Sequence, residues 1–133
     1  MTRYLLDTNV VSDLMHNPGG RAAARIAEVG EAQVCSSIIV AAELRYGVAK
    51  KGSARLDARL SFLLRTLEIL PFGPPADSTY GQIRAQLERA GQKIGANDLL
   101  IAAHAVTLGM TLVTDNEREF SRVAALTWEN WLR

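Results

Sequence analysis

Two short apolar runs, each leading directly to an aspartate, predict the first strands of the fold. Tyr4–Leu6 precedes Asp7, and Thr111–Thr114 precedes Asp115. Apolar runs of this length that end in turn-forming residues are typical of buried strands. Two further segments, 68–71 and 123–127, are weaker strand candidates.

Between these two runs the apolar residues follow a helical spacing. The clearest case lies in residues 55–67, where five leucines form one stripe along a helix face. Glycines follow several of these segments and predict helix ends. The predicted helices are 20–29, 38–48 capped by Ser37, 55–67, 77–90, and 98–108 capped by Asn97.

Short buried strands separated by helices favour a parallel sheet with helices on both faces, because parallel strands require crossover connections. The predicted fold class is therefore α/β. The chain has 133 residues, of which 48% are apolar and 22% charged, as in ordinary globular proteins. We expect a single domain over residues 1–133.

The composition excludes several classes of protein. One cysteine, Cys35, cannot form an intramolecular disulfide, and with only two histidines the chain offers no zinc-binding pattern. No apolar run approaches the ~18 residues of a membrane span. We therefore expect a soluble, cytoplasmic protein in which any metal ion serves chemistry. Cys35 is expected in the core, and His104 in the core or at an interface.

The net charge of +1 hides a separation of charge along the chain. Residues 45–65 carry six basic side chains against one acid, whereas the C-terminal part is acidic. The basic segment is either a solvated helix face or a surface that binds phosphates. The candidate phosphate-binding residues are Lys50, Lys51, Arg55 and Arg59.

Four acidic residues occupy positions that favour a common site. Asp7 and Asp115 follow strands, Asp98 lies in the first turn of a helix, and Glu43 interrupts an apolar stretch. The carboxyl ends of parallel strands meet at one edge of a sheet. Two carboxylates ~4 Å apart repel by about 4 kcal/mol at an effective dielectric near 20. A cation relieves this repulsion, and oxygen ligands favour Mg²⁺ or Mn²⁺.

Each acid also has a structural interpretation, as a helix cap, an ion-pair partner or a turn residue. Other acidic α/β sites fit less well, because Thr8 and Asn9 stand where a receiver domain or a dehalogenase-type phosphatase needs further acids. Glycine-rich phosphate-binding motifs are also absent. Among the chemistries that an acidic α/β site supports, metal-assisted reaction of a phosphodiester is the interpretation that remains.

Four segments in this order resemble the PIN-domain ribonucleases, and among them the VapC toxins of bacterial VapBC toxin–antitoxin pairs. The segments are Leu5–Asn9, Ala42–Gly47, Ile94–Ala105 and Leu112–Phe120. Together they span nearly the whole chain. The resemblance implies a Mg²⁺-dependent endoribonuclease with Mn²⁺ as a substitute, a homodimer, and a VapB-type antitoxin that blocks the site and links the complex to operator DNA.

The resemblance also implies roles for individual residues. Asp7 and Asp98 are the principal metal ligands, and Glu43 is a further carboxylate that binds the ion or positions water. Asp115, Asn116 or Glu119 completes the site. Thr8, Asn9 and Thr114 orient the carboxylates.

The expected substrate is structured RNA, most specifically a tRNA. Residues 81–85 and 91–95 are similar to enteric VapC toxins that act on initiator tRNA, which makes that tRNA the leading candidate. Two alternatives remain open: a housekeeping PIN-domain nuclease that processes RNA, and a catalytically silent PIN module that binds RNA or protein.

Overall fold

The computed structural model describes residues 2–133 and contains a five-stranded parallel sheet in the order β3-β2-β1-β4-β5. The strands are β1 (Tyr4–Leu6), β2 (Val34–Ser37), β3 (Glu68–Leu70), β4 (Thr111–Val113) and β5 (Trp128–Glu129). The helices are α1 (Thr8–His16), α2 (Arg21–Val29), α3 (Ile38–Lys51), α4 (Ala54–Thr66), α5 (Ala76–Arg89), α6 (Ala96–Leu108) and α7 (Glu117–Phe120). The predicted α/β fold with a parallel sheet is confirmed.

The first strand lies at the centre of the sheet. Leu5 pairs with Cys35 of β2 on one side and with Leu112 of β4 on the other, and all three side chains are fully buried. Cys35 is a core strand residue, as predicted. This arrangement places the carboxyl ends of β1 and β4 side by side.

Helix α3 begins where the sequence predicts and runs further. The Ser37 hydroxyl accepts a hydrogen bond from the Ile39 amide at 3.0 Å, which caps the helix. The helix ends at Gly52, whose φ of 66° lies in the left-handed region that glycine adopts without strain. Within residues 2–133, no helix is both long and apolar enough to cross a membrane.

Two predictions about the C-terminal half are wrong. Residues 123–126 form a turn, with the Leu126 amide donating to the Val123 carbonyl at 3.1 Å. The Leu112 amide of β4 donates to the Thr127 carbonyl at 2.9 Å, and the paired strand itself is Trp128–Glu129. Asn97 does not cap α6, because the Leu99 amide already bonds to the Gly95 carbonyl at 2.9 Å. The helix therefore starts one residue before Asn97.

Helices α1 and α7 were not predicted as elements. The Asp7 carboxylate accepts a hydrogen bond from the Thr8 amide at 2.7 Å and so caps α1. The buried side chains Val10, Val11 and Met15 of α1 recur at helical spacing, and this pattern is the signal that reveals it.

His104 is buried in α6, with 2% of its surface exposed. Its Nδ1 lies 2.8 Å from the Ser37 hydroxyl, and the Phe72 ring packs edge-on with its centroid 5.4 Å away. Burial lowers the pKa of His104, because the interior disfavours the charged ring, and this outweighs the opposing effect of the Pro71 carbonyl. The ring is therefore neutral at physiological pH.

We expect this histidine to destabilise the fold in acid. Histidines in the unfolded chain bind protons below about pH 6.5, whereas His104 in the folded protein resists protonation, so the free energy of unfolding decreases as pH falls through that range. Urea titrations between pH 5 and pH 8 measure this effect. As pH falls, the free energy of unfolding of His104→Gln should decrease less than that of the wild type. Identical pH dependence would contradict the assignment.

Candidate functional site

A pocket of about 410 Å³ opens beside the carboxyl ends of β1 and β4. Residues from α1, α3, the start of α4, the start of α6 and the segment after β4 line it. They are Asp7, Thr8, Asn9, Ser12, Met15, His16, Glu43, Leu44, Gly47, Val48, Lys51, Leu56, Asp98 and Asn116. Three of the four acids named in the sequence analysis therefore share one pocket.

Asp7 is the most buried of these acids, with 3% of its surface exposed. Its Oδ2 accepts hydrogen bonds from the Thr114 hydroxyl at 2.7 Å and from Asn9 Nδ2 at 3.4 Å, and its Oδ1 accepts from the Thr8 amide. Burial and the nearby charge of Glu43 raise the pKa of Asp7, while the hydrogen bonds from Thr114 and Thr8 oppose that change. These donors hold the carboxylate in one orientation.

Glu43 is half-buried on α3 and is linked to Asp7 through one threonine. The Thr8 hydroxyl donates to Glu43 Oε1 at 2.9 Å, while the Thr8 amide donates to Asp7. The backbone turn that begins α1 therefore couples the positions of two carboxylates.

Asp98 lies half-buried in the first turn of α6 and faces the same pocket. Burial, a hydrogen-bonded pairing with Glu119, and the like charges of Asp7 and Glu43 raise the pKa of Asp98 to about 8. The pairing lowers the pKa of Glu119. Asn116 Nδ2 bridges the two, at 3.1 Å from Asp98 Oδ2 and 3.3 Å from Glu119 Oε2.

Asp115 is not among the residues that line this pocket. Its Oδ1 accepts hydrogen bonds from Asn130 Nδ2 at 2.9 Å and forms an ion pair with Arg133 Nε at 3.2 Å. Its backbone amide donates to Asn9 Oδ1 at 3.1 Å. Of the three residues that the sequence leaves open, Asn116 therefore contacts Asp98 directly, and Asp115 is directed towards the C-terminal residues.

The four candidate RNA-binding residues are all exposed, and within residues 2–133 none of them forms a salt bridge. They lie at the end of α3 and on α4, and Lys51 also lines the pocket. By contrast, Arg45 on the same segment forms an ion pair, with its Nη1 3.6 Å from Asp57 Oδ1. Lys51 therefore adds an unpaired positive charge to the pocket.

The oxygen donors fit a divalent cation that also uses solvent or substrate ligands. In the part of the chain that the structure describes, no group of three or more Asp, Glu, His or Cys side chains is close enough together to hold a metal ion without other ligands. Mg²⁺ is usually held by one or two carboxylates together with waters and phosphate oxygens. Asp7 and Asp98 fit that requirement, since the charge of Glu43 raises the pKa of both and the charge of Asp7 further raises the pKa of Asp98.

The sequence reasoning missed the apolar wall of the pocket. Met15, Leu44, Val48 and Leu56 line the pocket together with Gly47 and the acids. In the sequence these residues are indistinguishable from core positions of amphipathic helices, and only the packing of α1, α3 and α4 brings them to a cavity.

The sequence matches the PIN domain family over residues 4–126. It is 40% identical to "Ribonuclease VapC2" of Rickettsia felis over 130 residues, covering 96% of this chain and 97% of the relative. It is 33% identical to "tRNA(fMet)-specific endonuclease VapC" of Shigella flexneri over 132 residues, covering 98% of this chain and 99% of the relative.

A solved structure of VapBC2 from Rickettsia felis bound to a promoter DNA fragment contains a chain with the same fold. The TM-score is 0.87 at 38% identity, covering 98% of this chain and 99% of that chain. Sequence and fold agree over nearly the full length of both proteins. The chain therefore belongs to the PIN-domain family, and within it to the VapC ribonucleases.

Proposed function

We propose that this protein is a Mg²⁺-dependent endoribonuclease toxin of the VapC type that cleaves structured RNA. Mn²⁺ is expected to substitute for Mg²⁺. The observation that carries the proposal is the placement of Asp7, Glu43 and Asp98 in one pocket beside the ends of β1 and β4. The whole of residues 1–133 then acts as one PIN domain.

In this proposal, Asp7 and Asp98 hold the metal ion, and Glu43 binds it or positions the attacking water. When bound, the ion supplies positive charge to the scissile phosphate and lowers the pKa of a bound water. Thr8, Asn9 and Thr114 orient Asp7 and Glu43 through the hydrogen bonds described above. These contacts fix the carboxylates before substrate arrives.

We assign the last polar contact to Asn116, with Glu119 behind it, rather than to Asp115. Asn116 donates to Asp98 and thus fixes the side chain that the metal needs. Asp115 instead holds the C-terminal residues Asn130 and Arg133 against the segment after β4. Its role in catalysis is therefore indirect.

The exposed cations of α3 and α4 are proposed to bind RNA phosphates beside the pocket. Neutralising all four in Lys50→Gln, Lys51→Gln, Arg55→Gln and Arg59→Gln should weaken RNA binding and reduce the slope of log affinity against log salt by up to roughly 3. The affinity for Mn²⁺ should not change. A quadruple variant that binds and cuts tRNA like the wild type at physiological salt would show that this surface is only a solvated face.

The proposed substrate is a tRNA, and initiator tRNA is the leading candidate. The support comes from the Shigella flexneri relative, which is named as a tRNA(fMet)-specific endonuclease. An anticodon stem-loop presents unpaired bases that can reach a pocket of this size. Sequencing of RNA ends after induction of the protein would identify the target.

A VapB-type antitoxin is the proposed partner, and operator DNA is reached only through the toxin–antitoxin complex. The VapBC2 structure with promoter DNA supports this assembly. We further propose a cytoplasmic homodimer, since Ile38 and Tyr46 of α3 and Leu108 of α6 expose large apolar side chains. Light scattering that shows a monomer at micromolar concentration would contradict the dimer.

Cleavage of purified tRNA with and without metal tests the proposed activity. The protein should cut tRNA in Mg²⁺ or Mn²⁺, lose that activity in excess EDTA, and regain it when metal is restored. Expression alone should arrest growth, and co-expression of the antitoxin should relieve the arrest. Full cleavage in EDTA would refute the metal dependence.

Failure to cut any RNA in the presence of metal would favour the silent module. An active protein that is harmless when overexpressed would favour a housekeeping nuclease.

A further inference from the structure

Besides its carboxylates, the pocket is lined by four apolar side chains, Met15, Leu44, Val48 and Leu56, and we call this part of its wall the apolar lobe. A charged phosphate gains nothing from aliphatic walls, because leaving water without polar partners costs free energy. A flat, largely apolar group does gain from them. The lobe therefore suits a part of the substrate other than the phosphate held at the acidic end.

Gly47 keeps this lobe open. It lies within α3, one turn after Glu43, and its backbone is not in the left-handed region that would require glycine. A Cβ built at Gly47 meets no atom within 4 Å, so packing does not exclude a side chain there. Glycine destabilises a helix interior relative to alanine. Its presence here leaves empty space beside the acids.

The rim of the lobe carries polar groups. Ser12 and His16 of α1 offer hydrogen-bonding side chains, and Lys51 at the end of α3 offers a cation. An unpaired nucleobase has apolar faces and hydrogen-bonding edges, and it is attached to phosphates on both sides. This combination of apolar walls, a polar rim and one cation matches that chemistry.

We propose that the apolar lobe binds an unpaired nucleobase next to the scissile phosphate, in space that Gly47 leaves free. This inference rests on the proposed ribonuclease function. The carboxylate end takes the scissile phosphate, and Lys51 faces the neighbouring one. Selection of the cut site then depends on the base that enters the lobe, in addition to the shape of the RNA loop.

Gly47→Leu tests the inference, because its Cβ meets no atom within 4 Å and the rest of the side chain would occupy the lobe. Gly81→Leu is a matched control: Gly81 also lies within a helix, α5, and a Cβ there also meets nothing within 4 Å. Both changes add helix-forming side chains, so melting temperatures should not fall for either. Gly47→Ala adds only a methyl group and should have an intermediate effect.

The readouts are cleavage of total tRNA in Mn²⁺, sequencing of the RNA ends, Mn²⁺ affinity by calorimetry, and binding of a fluorescent single-stranded oligonucleotide in an Asp98→Asn background. We expect Gly47→Leu to lower the cleavage rate roughly 10-fold, to weaken oligonucleotide binding, and to change the base found beside the cut. Mn²⁺ affinity should stay at the wild-type value. Gly81→Leu should match the wild type throughout.

Equal cleavage, oligonucleotide binding and cut sites in the two leucine variants would overturn the inference. So would a Gly47→Leu variant that cuts normally but escapes the antitoxin, since the lobe would then belong to that partner. A wild-type protein that cuts no tRNA in Mn²⁺ would instead refute the proposed function itself. The two failures are therefore distinguishable.

Discussion

Asp98→Asn is expected to abolish RNA cleavage and leave the protein folded. The amide keeps the size and shape of the side chain but removes the negative charge that a divalent cation needs. Loss of groups that merely orient a metal ligand costs about 10–100-fold, so loss of the ligand itself should cost more than about 100-fold. Initial rates of tRNA cleavage in Mg²⁺, compared with the wild type, measure the effect.

The same variant should change how stability depends on pH in the metal-free protein. Asp98 has a pKa of about 8 in the folded protein and about 3.9 in an unfolded chain. Between those values the folded state binds more protons, so the wild-type free energy of unfolding decreases as pH rises. The free energy of unfolding of Asp98→Asn should decrease less over that pH range.

Urea unfolding at pH 5, 6.5 and 8 in EDTA provides the comparison. A variant that is inactive because it melts far below the wild type at every pH would make Asp98 a structural partner. A variant that is stable and fully active would remove Asp98 from the site.

Thr114→Val is expected to reduce cleavage by roughly 10–100-fold, because it removes the hydroxyl that orients Asp7. Thr114 is fully buried, donates to Asp7 Oδ2 at 2.7 Å and accepts from the Asn116 amide at 3.0 Å. Valine has nearly the same shape and leaves both partners without that contact. Stability should decrease by about 1–3 kcal/mol, the usual cost of an unsatisfied buried polar group.

Two further variants separate the hydroxyl from packing. Thr114→Ser keeps the hydrogen bonds and should retain most of the activity. Thr111→Val makes the same change on a buried residue of β4, three residues before Thr114, and should be active. If Thr114→Ser loses as much activity as Thr114→Val, the methyl packing of Thr114 is what the site requires.

Local sequence patterns were sufficient to predict the strands and helices whose apolar residues are buried in the core. β1, β4 and α3 were predicted because their signals lie within a few consecutive residues. β5 has only two residues and exists through pairing with β4, where Trp128 lies opposite Leu112. Such a contact has no counterpart in the local pattern, so the strand was placed too early in the chain.

The environment of a single side chain was harder to predict than the helix or strand that carries it. Helical spacing places Glu43 on a buried or half-buried face together with Ile39 and Tyr46. Glu43 is half-buried, in agreement with that spacing, whereas Tyr46 is 67% exposed. α3 buries the side of Val40 and Val48 instead. Which side faces the sheet depends on neighbouring helices that the helix's own residues do not specify.

The orientation of Asp115 illustrates the same limit. Its position after β4 follows from the sequence, but the direction of its carboxylate depends on Asn130 and Arg133, at the other end of a turn. Topology predicts which residues approach the edge of the sheet. It does not predict which of two adjacent polar residues faces the pocket.

The central position of β1 has a consequence during protein synthesis. Asp7 emerges from the ribosome early, whereas its hydroxyl partner Thr114 belongs to the segment after β4, 107 residues later. At about 5–20 residues per second, translation takes roughly 5–21 s to cover that distance. A growing chain therefore lacks the complete hydrogen-bond network around Asp7 until Thr114 has been synthesised, so the site gains its final geometry only after β4 has joined the sheet.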